Sequence, residues 1–249
     1  MKRTLLFILL LFINIWVFAQ NNPIRVGVDN FYPPNVMRAG NNQVFGFDIT
    51  LMERICKLIN RQCVFYPMPF AKLLNMLEKG DIDVALGAIT ITPDRAARVA
   101  FSKPYLDSQA RFLGNNSIKP TEFNLNLLKN YNIGVVAGTI FPQVLESLGI
   151  QNPKITSFER LDFMIDALND GEIDIAIMDN ANALYWQQQS SGRLIALGKA
   201  FKYGYGIGIA INRNENDLLK EVNNALEQYL QGADFKGDYD KFLGYLNTM

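Results

Sequence analysis

The sequence predicts an α/β fold divided into two similar lobes, and two observations carry that reading. Short runs of β-branched and aliphatic residues alternate with stretches whose apolar residues recur at helical spacing. One helix–Gly–strand module also occurs twice. Leu77-Glu78-Lys79-Gly80-Asp81-Ile82-Asp83-Val84-Ala85-Leu86 matches Leu168-Asn169-Asp170-Gly171-Glu172-Ile173-Asp174-Ile175-Ala176-Ile177 at a constant offset of 91. Gly27-Val28 and Gly134-Val135 open the two copies. Two copies are too few for a solenoid and fit a pair of α/β lobes.

The elements follow in order. Arg25 to Val28 reads as the first strand. The loop Asp29-Asn30-Phe31-Tyr32-Pro33-Pro34 follows, and its prolines stop further pairing. Asp48 is expected to cap a helix whose stripe is Met52, Ile55, Cys56 and Ile59. Val64 to Tyr66 is the next strand. Phe70, Leu73, Leu74 and Leu77 form a second stripe, ended by Gly80. Ile82 to Leu86 is a short buried strand, after which Thr92 caps a helix with Pro93 at its first position. Residues 106 to 114 run extended out of the first unit, and the second is expected to begin near Ser117. There Ile133 to Val136 is a strand, and Ala137-Gly138-Thr139 turns into a helix around Gln143 to Leu148. Leu161, Ile165 and Leu168 mark another helix, and Ile173 to Met178 is a strand with Asp179 at its end. Tyr203 to Asn212 is strand-like and crosses back to the first unit. Leu218, Leu219, Val222, Ala225 and Leu226 lie on an amphipathic helix, and Gly237-Asp238-Tyr239 starts a final one.

Composition narrows the function. Lys2 and Arg3, the apolar run Leu5 to Val17 and the residues Val17-Phe18-Ala19 read as an export leader cleaved near Ala19. An uncleaved anchor is the alternative, and no cysteine near the cleavage point offers a lipid-attachment thiol. The remaining chain has no other long apolar run and is expected to be soluble. The 24 basic residues balance 24 acidic ones, and loss of Lys2 and Arg3 with the leader leaves a net charge of −2. That balance argues against nucleic acid as a partner. The chain has no histidine, which removes Ser-His and Cys-His nucleophile pairs and His-ligated metals. Exported chains meet oxidising conditions, so a disulfide between Cys56 and Cys63 is favoured over a metal site or free thiols.

The candidate site lies beyond the ends of the two matched strands, where ligands of α/β sheets bind. At the first, Gly87 and Ala88 leave backbone open to an approaching ligand. Thr90, Thr92, the helix N-terminus and Arg95 then gather hydroxyls, N–H groups and a guanidinium fork that suits a carboxylate. The competing reading makes Arg95 an ordinary surface arginine. At the second strand end, Asp179 either caps the helix that starts at Asn180 or meets an ammonium group.

These residues resemble the polar amino-acid-binding proteins of bacterial ABC transporters, solute-binding family 3. The run Ile91-Thr92-Pro93-Asp94-Arg95-Ala96-Ala97-Arg98-Val99-Ala100-Phe101-Ser102-Lys103-Pro104-Tyr105 is similar to the family's T-x-x-R…F-S-x-P-Y signature. Gly46-Phe47-Asp48-Ile49, Gly80-Asp81-Ile82-Asp83, Gly138-Thr139, Tyr205-Gly206-Ile207 and Gly237-Asp238-Tyr239 support it. The resemblance implies a type II periplasmic binding protein, two lobes hinged by two crossing strands. Lobe 1 would be 20–108 plus 207–249, and lobe 2 would be 109–206, after a leader over 1–19. It implies that Arg95 clamps an α-carboxylate, with Thr90 and the backbone around Gly87, Ala88 and Thr139 assisting, and that Asp179 takes the α-ammonium. Tyr32 and Phe70 would wall the ligand side chain, though each also fits core packing, and Asp29 would read a distal cation. The segment Ile55 to Cys63 is similar to the disulfide-containing segment of the lysine/arginine/ornithine- and histidine-binding branch.

Three departures stand out. Gly87 and Ala88 replace serines of the lysine- and histidine-preferring relatives, which favours arginine. Asn35 replaces an aromatic, and Gly244-Tyr245 lies where a tryptophan is common. The implied protein is a monomer in the periplasm that hands a basic L-amino acid to a membrane ABC permease. It would need no cofactor or metal. The alternatives are an enzyme on the same scaffold, similar to cyclohexadienyl dehydratase, or a sensory ligand-binding module.

Overall fold

The computed structural model describes residues 22–118, 123–150 and 152–247, so the expected leader lies outside the described residues. Its strands are β1 Ile24–Asp29, β2 Met37–Arg38, β3 Val44–Phe45, β4 Cys63–Met68, β5 Val84–Leu86, β6 Ala100–Phe101, β7 Gln109–Asn115, β8 Asn132–Val136, β9 Lys154–Phe158, β10 Ile175–Asp179, β11 Leu194–Lys202 and β12 Ala210–Ile211. They form two five-stranded sheets, β4-β1-β5-β12-β6 and β11-β7-β10-β8-β9, and the small ribbon β2-β3. Helices cover the sheets, so each sheet is the centre of one lobe. Among the described residues no helix is long and apolar enough to cross a membrane.

The sequence repeat is a topological repeat. In both lobes the first strand lies between the other two, β4-β1-β5 and β9-β8-β10, and all of these pairs are parallel. An antiparallel strand then joins each third strand, β12 on β5 and β7 on β10. The repeated Ile-Asp pair has a physical cause. The Asp83 carboxylate accepts from the Arg25 N–H at 2.8 Å, and the Asp174 carboxylate accepts from the Asn132 N–H at 2.7 Å. Each aspartate N–H returns the bond to the same residue's carbonyl, at 2.9 and 3.0 Å. Each aspartate thus ties the start of its strand to the start of the neighbouring one. The glycines that open the copies are equivalent too. A Cβ on Gly27 would lie 2.4 Å from Ile82 Cδ1, and one on Gly134 would lie 2.4 Å from Ile173 Cδ1.

The helices run close to their sequence-expected positions, with three differences. The helix Phe47–Leu58 is entered through Gly46, and Asp48 is its second residue rather than its cap; the carboxylate is committed elsewhere, as described below. Lobe 2 starts before Ser117, because β7 is an interior strand of its sheet. Gly237-Asp238-Tyr239 falls inside the helix Ala233–Leu243 rather than at its start, and Asp238 accepts from Arg54 and the Tyr229 hydroxyl. This helix and Asn216–Gln231 bring the chain back to lobe 1. The helix Ala233–Leu243 packs on Phe47, whose ring lies 6.4 and 6.5 Å from those of Phe235 and Tyr239.

Two antiparallel segments connect the lobes. The Ile207 N–H donates to the Leu106 carbonyl at 2.8 Å, and the Tyr105 N–H donates to the Ile207 carbonyl at 2.9 Å. Further along, the Ser108 hydroxyl bonds the Tyr203 carbonyl, and the Tyr203 N–H returns to the Ser108 carbonyl at 3.3 Å. Pairing between the connections lets both bend as one unit, the arrangement a hinge needs.

Cys56 and Cys63 are joined, with their Cα atoms 6.1 Å apart. The bridge staples the last turn of the helix Phe47–Leu58 to the first residue of β4. Replacing both cysteines by serine is expected to lower stability by about 2–3 kcal/mol, the chain-entropy value for so short a loop. An earlier midpoint in a denaturant titration would register the loss, and an unchanged midpoint would show that the bridge contributes nothing to lobe 1.

Candidate functional site

The cleft between the lobes begins where β5 ends. Gly87 and Ala88 take positive φ values of 139° and 52°, and the second is costly for a residue with a Cβ. Asp48 holds them there. Its Oδ2 accepts from the N–H groups of Gly87 and Ala88 at 3.1 and 2.8 Å. Its Oδ1 accepts from the Tyr105 hydroxyl at 2.9 Å and from Asn35 Nδ2 at 3.2 Å. Burial pushes the Asp48 pKa up, and these four donors oppose that. The N–H groups of Gly87 and Ala88 are therefore spent on Asp48 and not offered to the cleft. These two residues contribute bare backbone without side-chain bulk.

The following turn delivers Arg95. Thr92 Oγ1 accepts from the Arg95 N–H at 3.2 Å, and Pro93 occupies the first helical position, as the sequence predicts. Arg95 is buried, not an ordinary surface arginine. Its Nη1 donates to the Thr90 carbonyl of lobe 1 at 2.9 Å, and its Nη2 donates to the Gly138 carbonyl of lobe 2 at 3.0 Å. The guanidinium carbon lies 5.5 Å from the centre of the Phe70 ring. Burial lowers its pKa, while the phenol of Tyr203 and the carboxylate of Asp179 counter that; guanidinium stays charged.

Lobe 2 contributes the opposite charge. Asp179 ends β10 but makes no side-chain cap to the helix Asn180–Gln189. Its Oδ2 accepts from the Tyr32 hydroxyl at 2.7 Å and its Oδ1 from the Tyr203 hydroxyl at 2.5 Å. Thr90 Oγ1 donates to the Tyr203 hydroxyl at 3.1 Å, closing a chain of polar groups from lobe 1 to lobe 2. Burial pushes Asp179 up to about 6, against the two phenols and Arg95. The Thr139 hydroxyl and N–H both donate to the Val136 carbonyl, at 2.6 and 3.2 Å. They fix the turn and are not turned to the cleft.

Tyr32, Phe70, Gly87, Ala88, Thr90, Arg95, Thr139 and Asp179 together line one narrow, nearly closed cleft with an open volume of about 10 Å³. Asp29 does not line it. It lies beside Gly87, whose Cβ position would be 3.3 Å from Asp29 Cβ and 3.8 Å from Phe70 Cδ2. It is buried, and burial pushes it up to about 7, against the N–H groups of Asn30 and Phe31 and the charge of Arg160. Sequence reasoning missed three lining residues, Ile140, Phe141 and Tyr203. Tyr203 had a signal, an aromatic in the segment that crosses back between lobes. Its ring lies 5.5 Å from that of Phe141. Among the described residues no group of three or more Cys, Asp or Glu side chains is arranged to hold a metal ion.

The model of the bacterial extracellular solute-binding proteins, family 3, matches residues 24–245. The chain belongs to this family. It is 30% identical over 98% of its length to the arginine-binding periplasmic protein of Mannheimia haemolytica, spanning 99% of that protein. It is 29% identical to ABC transporter arginine-binding protein 1 of Escherichia coli (strain K12), over 82% of this chain and 83% of that one. A solved ancestral arginine-binding protein bound to arginine superposes with a TM-score of 0.83 at 28% identity, over 90% of this chain and all of that one. The fold is thus the two-lobe type II binding-protein fold of family 3.

The buried acids of this family 3 protein make its stability pH-dependent. The folded-state pKa values of Asp29 and Asp179 lie above the ordinary carboxylate value, so folding favours their protonated forms. Their stabilising contribution is complete below about pH 4 and is lost as pH rises through about 6 to 7. An Asp29→Asn variant, which cannot ionise, should therefore gain melting temperature relative to wild type as pH rises from about 5 to 8. A difference in melting temperature that stays constant across that range would contradict this assignment.

Proposed function

We propose that the protein captures a basic L-amino acid, arginine favoured, in the periplasm and delivers it to an ABC permease. The observation that carries this reading is the presence of Arg95 and Asp179 on one cleft from facing lobes. A zwitterion leaving water must have both charges paired, or desolvation prevents binding. Arg95 is the partner for its carboxylate. Asp179 is the partner for its ammonium, which replaces one of the two phenol donors. Each lobe then holds one pole of the ligand, so the ligand favours the closed state through contacts an open state lacks.

Tyr32 and Phe70 flank the path of the side chain, and a planar guanidinium stacks well on such rings. Asp29, buried beside Gly87 just outside the cleft lining, is the acid assigned to the distal cation. The arginine-binding relatives support this choice of ligand. The clamp lacks a separate acid–base pair for chemistry, which favours a binding protein over an enzyme on the same scaffold.

The reading predicts that L-arginine raises the melting temperature of the purified protein in a concentration-dependent way. A flat response across basic and polar amino acids would reject it. Arg95→Ala and Asp179→Asn should each weaken binding by about a hundredfold or more, since losing one partner of a buried pair costs about 3–5 kcal/mol. Calorimetry on both variants provides the check, and retention of wild-type affinity in either would remove that residue from the clamp.

A further inference from the structure

The clamp is not the only place where the lobes meet. Asn182 stands three residues past Asp179, in the first turn of the helix Asn180–Gln189. It is fully buried, and its Nδ2 donates to the Pro33 carbonyl of lobe 1 at 2.7 Å. Pro33 directly follows Tyr32, so two hydrogen bonds tie the same pair of segments, Tyr32 to Asp179 and Asn182 to Pro33. One helical turn beyond Asn182, the Trp186 ring lies 6.4 Å from the Phe31 ring, edge to face. From another side the Tyr245 hydroxyl donates to the Ala181 carbonyl at 2.7 Å, bringing the C-terminal segment against the same turn.

These contacts differ from the clamp in one respect. Phe31, Pro33, Asn182 and Trp186 do not line the cleft. An ammonium arriving at Asp179 replaces a phenol donor there and leaves the Asn182 amide on Pro33. The loop that carries Pro33 is firmly part of lobe 1. The Tyr32 N–H donates to the Val36 carbonyl at 2.8 Å, the Asn35 N–H to the Tyr32 carbonyl at 2.9 Å, and Asn35 Nδ2 to Asp48 at 3.2 Å. A bond to Pro33 therefore holds lobe 1 as a body, and with it the direction of Tyr32.

The contact is also opposed from within. Among the described residues five buried side-chain polar atoms lack a hydrogen-bond partner. Four of them lie on this loop and this helix: Asn35 Oδ1, Asn180 Oδ1, Asn182 Oδ1 and Trp186 Nε1. Each costs desolvation while the lobes are closed and regains water when they part. Asn35, Asn180 and Asn182 also border a cavity of about 320 Å³ that reaches the connecting residues Leu106 and Ile207, so parting here breaks little packing. An amide bond and a ring contact favour closure, and four bare polar atoms oppose it.

We propose that Asn182 is a positioning residue for ligand capture. With Trp186 it seats the loop 31–35 on lobe 2 without any help from the ligand, and so sets how often the empty protein visits its closed state. The consequence for affinity rests on the reading of the cleft as an amino-acid clamp. Affinity scales with the closed fraction, so the latch changes it by the same factor for every ligand.

The test uses Asn182→Ala on lobe 2 and Phe31→Ala on lobe 1, which remove the contact from opposite sides. Calorimetry with L-arginine and L-lysine is paired with small-angle X-ray scattering of the ligand-free and arginine-saturated protein. Both variants should bind both ligands about five- to tenfold more weakly, with the arginine-to-lysine ratio kept within about twofold. Both should have a larger ligand-free radius of gyration than wild type and the same radius when saturated. A loss confined to one ligand, or a ligand-free radius unchanged in both variants, would overturn the role of Asn182 while leaving the clamp reading intact. A wild-type protein that binds neither amino acid would overturn the clamp reading, and the ligand-free scattering would still decide for or against the latch.

Discussion

The cleft depends on one constraint: two buried charges, Arg95 and Asp179, must remain satisfied while the lobes move. The structure meets it by giving each charge a partner from the opposite lobe. Arg95 of lobe 1 donates to the Gly138 carbonyl of lobe 2, and Asp179 of lobe 2 accepts from Tyr32 of lobe 1. Neither charge is left alone in a low-dielectric site, where an unpaired ion costs several kcal/mol. The same bonds hold the lobes together. A zwitterion that competes for these groups acts on the interaction that governs closure, so recognition and movement share one set of contacts.

Behind the clamp, Asp48 does for lobe 1 what a bound ion does in other sites. Its carboxylate draws in two backbone N–H groups, a phenol and an amide, and so fixes the turn after β5. That turn carries the strained Ala88 and leads directly to Thr90 and Arg95. Positioning of the guanidinium is thus inherited from a residue that makes no contact with it. Across the cleft the corresponding rigidity comes from the turn at Val136 and Thr139 and from β10, an interior strand. The polar clamp is mounted on two sheet edges, and the paired segments near Ser108 and Tyr203 connect them.

Duplication explains how such a device arises from a short pattern. The helix–Gly–strand module brings its own helix stop, strand start and inter-strand tie through Gly80 and Asp83, and again through Gly171 and Asp174. Two copies place two strand ends opposite each other. The chain then differentiates them, with a cation after the first and an anion at the end of the second.

Local rules made much of this legible in the amino-acid order. Apolar spacing located the helices, Thr92 and Pro93 the start of the Arg95 helix, Gly80 and Gly171 two helix ends, and the offset repeat the two lobes. Those features depend on neighbours within a turn or two of chain, so a linear reading reaches them. Asp48 reads as a helix cap in the linear order, but its partners lie 13, 39, 40 and 57 residues away. The Tyr32–Asp179 bond spans 147 residues, and Tyr203 enters the site from the segment that crosses back between the lobes. Hydrogen-bond partners of a buried charge are fixed by which surfaces the folded lobes press together, and sequence spacing carries no record of that. The order of residues determined the elements and the two charges; the tertiary structure alone decided which groups would neutralise them.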